Sequence, residues 1–166
     1  MNSIDAEMLF KCVHTLLSEL VDGPAPGQGT WILDRDPSAG LAGTLDSLSA
    51  AQASRHIVAG ESSIAGHANH LLFSLSLMNR WAAGENPFEG ADWQGSWKIQ
   101  TVDDAQWKEL RRELREQGHA WMKALNADKD WDEESLTGSL ASFAHLAYHL
   151  GAIRNMLDTA KQTPAA

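Results

Sequence analysis

The chain has 166 residues, enough for one domain (1–166) with a proper core, and an ordinary globular share of apolar residues. A formal net charge of −9 argues against a nucleic-acid surface or an anionic membrane face and suits cation capture. The single cysteine, Cys12, excludes an intramolecular disulfide and a cysteine-rich zinc site; it falls on a helical apolar stripe, so a buried structural thiol is expected. The start Met1-Asn2-Ser3-Ile4-Asp5 is not that of a signal peptide, and no run nears the ~18 apolar residues of a membrane span. A cytoplasmic protein is the expectation.

The first helix is expected from near Ser3, as cap, to Val21, with Ile4, Met8, Leu9, Val13, Leu16, Leu17 and Leu20 stepping along one face. Asp22-Gly23-Pro24 stops it. The long connection that follows carries Trp31-Ile32-Leu33, expected to pack down on the bundle. Gly40 to Ser54 reads as one or two short helical pieces; Leu41, Leu45 and Leu48 share a face, and Ser49-Ala50-Ala51-Gln52 has capping-box spacing.

A second long helix runs from Ser62 or Ser63 to Ala83, with Ile64, Ala68, Leu71, Leu75, Met78 and Ala82 as its seam and His67 and His70 on it. A crossover from Glu85 to Val102 brings Trp93 and Trp97 close together, to anchor the loop or to wall a pocket. The third helix, from Thr101 or Asp103 to Leu125, turns Trp107, Leu110, Leu114, Trp121 and Leu125 inward and a charged face outward. The fourth runs from Ser135 to Asp158 with Leu136, Leu140, Phe143, Ala147, Leu150, Ile153 and Leu157 as its stripe; Lys161 to Ala166 is a frayed tail. No credible strand pattern occurs. The expectation is an all-α four-helix bundle with long crossover connections, not simply up-down-up-down.

On the fourth helix His145 and His149 lie one turn apart, the spacing with which two imidazoles hold one metal ion from a rigid backbone. A metalloprotease would place Glu after the first histidine as general base; Leu146 stands there, so a peptidase is not expected. A helical wheel sets the pair about 100–140° off the leucine stripe of its helix. It sets His70 at a comparable offset on the second helix and His67 about 60° from the seam. A site at a crevice would use His70 and a site between helices His67, so the wheel leaves the third ligand open. Three neutral imidazoles leave positions free for water or substrate, and zinc, nickel and iron all accept them. Gly151, mid-helix, predicts close approach of another helix or a ligand; Arg154 predicts a plain ion pair.

His70-Leu71, followed far downstream by the run from His145 to Arg154, resembles the DinB-like superfamily of helical metalloenzymes, as does Ser63 to Gly84 with its Arg80-Trp81-Ala82-Ala83-Gly84 end. The resemblance covers most of the chain and is specific at the two histidine helices. It implies a four-helix bundle with a long crossover, a divalent metal on three histidines, and a homodimer. By match to the family, His145 and His149 are the late pair and His70, being followed by Leu71, the early ligand; His67 stays as an alternative or additional ligand. Some relatives are thiol S-transferases and others hydrolase-like. The expected function is therefore metal-dependent hydrolysis or thiol transfer on a small-molecule substrate, with a low-molecular-weight thiol as one candidate partner. The alternative is a non-enzymatic metal or small-ligand binding bundle for stress response or sequestration. No residue matches a defined general base.

Overall fold

The computed structural model describes residues 6–58, 60–125 and 132–162. The described residues form six α-helices and no strand: α1 (Ala6–Asp22), α2 (Leu41–Asp46), α3 (Ala50–Ala53), α4 (Ile64–Ala82), α5 (Asp104–Ala124) and α6 (Glu133–Gln162). Two short 3-10 turns, Pro37–Ala39 and Gly95–Trp97, lie in the long connections. The fold is all-α, with four long helices and a core drawn from all of them. No helix among the described residues is long and apolar enough to cross a membrane.

Helix starts are set by side chains that satisfy the first orphan N–H groups. Ser63 caps α4 and Asp103 caps α5, the latter in a capping box with Gln106. Ser49 and Gln52 form the box expected at α3. The expected cap Ser3 and neighbour Ile4 lie outside the described residues, as do residues 163–166 of the expected tail. α6 is longer than its apolar pattern suggests at both ends. Asp132 exchanges hydrogen bonds with Ser135 (2.7 and 3.0 Å) and starts the helix earlier, and Lys161 and Gln162 are still helical.

The long crossover makes α4 and α5 parallel. Ser63, at the start of α4, bonds Gln100 just before α5, and Asn79 near the end of α4 donates to Gln117 Oε1 late in α5 (2.7 Å). α6 runs antiparallel to α4: His67 meets His149, His70 meets His145, and Trp81 meets Gly138. At Gly138 an added Cβ would stand 2.9 Å from the Trp81 ring, so glycine is what lets that ring lie against α6.

Several expected faces are rotated. On α1 the buried line is Phe10, Val13, Leu17, Leu20 and Val21, while Met8 and Cys12 are exposed. Cys12 is therefore not a buried structural thiol. On α6 the buried line is Ser135, Ser139, Ser142, Leu146, His149, Leu150, Ile153, Met156 and Ala160; Leu140 is exposed. Small serines occupy the first half because Trp121 of α5 descends there, its indole N–H donating to Ser142 Oγ at 2.9 Å. Gly151 is exposed, and an added Cβ would meet none of the described residues within 4 Å, so the expected close approach of a second element is not there.

The 31–33 segment packs down only in part. Leu33 rests on the core, but Trp31 is 78% exposed. The segment is fixed instead by its backbone, as the N–H groups of Trp31, Ile32 and Leu33 donate to the buried Glu19 carboxylate at 2.9, 2.8 and 2.7 Å. Burial alone would raise the Glu19 pKa; the three N–H groups outweigh it and hold the carboxyl below its ordinary range.

Candidate metal centre

The site is placed by the way the crossover is tied to α4. Ser63 Oγ accepts from the Gly66 N–H at 3.0 Å and donates to the Gln100 carbonyl at 2.6 Å. Gln100 then lies across the first turn, where a Cβ on Gly66 would stand 2.5 Å from its amide nitrogen. The same amide holds the Trp97 carbonyl, and Asn69 holds the Ser96 carbonyl at 2.6 Å. The 3-10 turn is thereby set over the flank of α4 that carries His70. Trp97 stacks on the His70 ring, centroids 4.0 Å apart and planes 18° from parallel. That cover reverses the burial order of the helical wheel: His70 is 5% exposed, while His67 is half-buried.

His70, His145 and His149 come together. Nε2 of His145 is 2.9 Å from Nε2 of His149 and 3.1 Å from Nε2 of His70. These three histidines form a group that could hold a metal ion, its ligand atoms lying within 4.8 Å of one another. The other nitrogen of each ring is engaged elsewhere. His70 Nδ1 meets Ser96 Oγ at 2.7 Å, His145 Nδ1 meets Ser74 Oγ at 3.1 Å, and His149 Nδ1 meets His67 Nδ1 at 2.9 Å. The Ser96 hydroxyl donates to the Trp93 carbonyl at 2.6 Å, so it accepts from an N–H on His70. With the proton on Nδ1 in each ring, all three Nε2 atoms are left as acceptors within reach of one ion. Three unprotonated acceptors facing each other are unfavourable alone and become favourable around a cation. Neutral imidazole is a donor suited to zinc, nickel or iron(II), and separations near 3 Å suit ligands each about 2.1 Å from a shared ion.

The electrostatics keep the rings neutral. Burial, then the neighbouring imidazoles His145, His67 and His70, pushes His149 down to about 3. Burial, then His145 and His67, pushes His70 down to about 4. Burial also lowers His145 and His67, with Glu61 partly opposing it at His67.

His67 is beside the centre in a particular way: its Nδ1 faces the Nδ1 of His149, while the three-histidine group is made by Nε2 atoms. His14 and His119 are exposed, and His119 pairs with Asp22 at 2.7 Å. Arg154 forms the expected ion pair, with Asp34, and also donates to the Ala39 carbonyl at 3.2 Å. Trp93 and Trp97 fill both expected roles, since Trp97 covers the centre and Trp93 lines a cavity of about 690 Å³ that reaches His145. Ser96 carries no sequence signal, being a serine in a loop far from either histidine pair. Ser74 had one, since it lies one turn beyond His70 on the same flank.

Residues 33–153, which include the crossover and all four clustered histidines, match the family described as the DinB superfamily. No curated protein and no solved structure gives a significant match.

Proposed function

The chain belongs to the DinB superfamily, and from that premise we propose that it is a divalent-metal-dependent enzyme, of hydrolase or thiol S-transferase type, acting on a small-molecule electrophile. His70, His145 and His149 are the ligands through Nε2. The observation that carries this reading is the division of labour within each ring: Nε2 faces the common centre while Nδ1 is held by Ser96, Ser74 or His67. Such outer partners fix tautomer and ring orientation and raise ligand basicity. A divalent ion held there, zinc, nickel or iron, would supply Lewis acidity toward a bound oxygen or sulfur atom. The chain's own contribution is to keep the rings neutral, to shield one side with the Trp97 indole, and to present the cavity beside His145 to the body of a substrate. That cavity favours an enzyme over a sequestering bundle, because holding an ion requires no apolar chamber next to it.

The test uses wild type and the His70→Ala, His145→Ala and His149→Ala variants, each incubated with zinc, nickel or iron(II). Hydrolysis of nitrophenyl esters and transfer of a thiol to chlorodinitrobenzene are measured alongside metal content. Metal-dependent turnover in wild type that disappears in the three variants is expected. Equal turnover in wild type and variants would contradict the reading.

A further inference from the structure

The cavity beside His145 has a composition that selects its occupant. Met78, Trp81, Phe88, Trp93 and Ala141 make it predominantly apolar, with Trp81 and Phe88 in edge-to-face contact at 6.0 Å. Its serine hydroxyls are engaged within the protein, Ser74 with His145 and Ser142 with Trp121 and the Ser139 carbonyl. The formal charge in its described lining comes from Glu133 and Glu134; no lysine or arginine lines it among the described residues. These carboxylates lie at one end. Glu133, Thr137, Ala141 and His145 follow each other at four-residue steps along one face of α6. The helix rises about 16 Å between Glu134 and His145.

The geometry points to an elongated organic cation as the occupant: an apolar, aromatic-lined body lying along α6, an ammonium group beside Glu133 and Glu134, and the opposite end at His145. This rests on the proposed role of the histidine centre for the meaning of that opposite end, but not for the binding itself. Aromatic walls and carboxylates both favour a cation, and the same carboxylates oppose an anion of equal shape. An uncharged analogue gains the apolar contacts alone. The protein part of the cavity, without the ion, therefore prefers amines to carboxylates and phosphates.

The experiment is calorimetric titration of the full chain in its metal-free form, where no ion can capture a carboxylate, with three probes of similar shape: phenylbutylamine, phenylbutanol and phenylbutyrate. The amine is expected to bind about tenfold more tightly than the butyrate, with the alcohol between them. In Glu133→Gln/Glu134→Gln that gap collapses. In Ala141→Phe, where the new ring enters the cavity from an exposed position, all three are weakened. Melting and zinc content of each variant separate cavity loss from misfolding. In manganese-loaded protein, relaxation of the phenyl protons should exceed that of the methylene next to nitrogen, showing that the phenyl end is the one nearer His145. Binding of the butyrate as tight as the amine, indifference of all three probes to Ala141→Phe, or the reversed relaxation order would overturn the inference. Amine binding by a protein that takes up no metal would leave this inference standing and remove the metal-enzyme reading. Metal uptake without amine binding would do the reverse.

Discussion

Nδ1 of His67 lies 2.9 Å from Nδ1 of His149, joining α4 to α6 behind the point where three other nitrogens converge. Two Nδ1 atoms at that distance share one proton. Since Nε2 of His149 faces the common centre, the proton belongs on His149 and His67 is its acceptor.

His67 is therefore a positioning residue for His149. His67→Ala should lower zinc affinity by about 10–100-fold, the range for an outer partner, and His149→Ala should lower it much further. His67→Gln, whose amide oxygen can accept the same N–H, should recover part of the loss. Chelator competition measures all three. A His67→Ala loss as large as that of His149→Ala, without recovery in His67→Gln, would mark His67 as a direct ligand.

The metal-free protein should lose stability in acid before its carboxylates titrate. His70 and His149 have folded pKa values of about 4 and about 3, below the ~6.5 of an unfolded histidine. Above about pH 6.5 both states are neutral there and the groups contribute no pH dependence. As pH falls below that value the unfolded chain binds protons that the folded cluster refuses. Stability then drops by at most about 1.4 kcal/mol per pH unit for each group, until the folded values are reached. Urea denaturation at about pH 7 and about pH 5 should show a smaller drop in His149→Gln than in wild type. Equal drops would remove the cluster as the cause.

Glu19 is 5% exposed and accepts backbone N–H groups from Trp31, Ile32 and Leu33. Glu19→Ala leaves those donors to partial hydration and should cost about 2 kcal/mol, with Glu19→Gln intermediate. The Glu19 carboxyl sits below its ordinary range. Its contribution is thus complete above the unfolded value of ~4.3 and is lost as pH falls through the lower folded value. Hydrogen exchange should show faster exchange at residues 31–33 in Glu19→Ala; unchanged protection there would contradict the assignment.

The helices were legible because their seams and stops are local. Ile64 through Met78 step as a clean buried line, and Ser63, Asp103 and the Ser49–Gln52 box cap where the pattern says they should. Faces were less legible wherever a small or polar residue is buried. The α6 stripe follows Ser139 and Ser142 where Trp121 needs room and a hydrogen-bond partner, and His149 where the histidine cluster lies, and counting leucines misses both. The same limit applies to His67 and His70. A wheel sees their own helix, while the burial of His70 is set by Trp97, far along the chain, whose turn is held by Gln100 at the Trp97 carbonyl and by Asn69 at the Ser96 carbonyl. Gly151 shows the converse, a mid-helix glycine that signals close approach and has none among the described residues.

The most direct measurement is anomalous scattering from crystals of the zinc-loaded protein, recorded on both sides of the zinc edge. A single strong peak is expected about 2.1 Å from Nε2 of His70, His145 and His149, with His67 Nδ1 still bonded to His149 and outside the coordination shell. A peak bound by His67 in place of His70, or the absence of any peak at these three nitrogens, would contradict it.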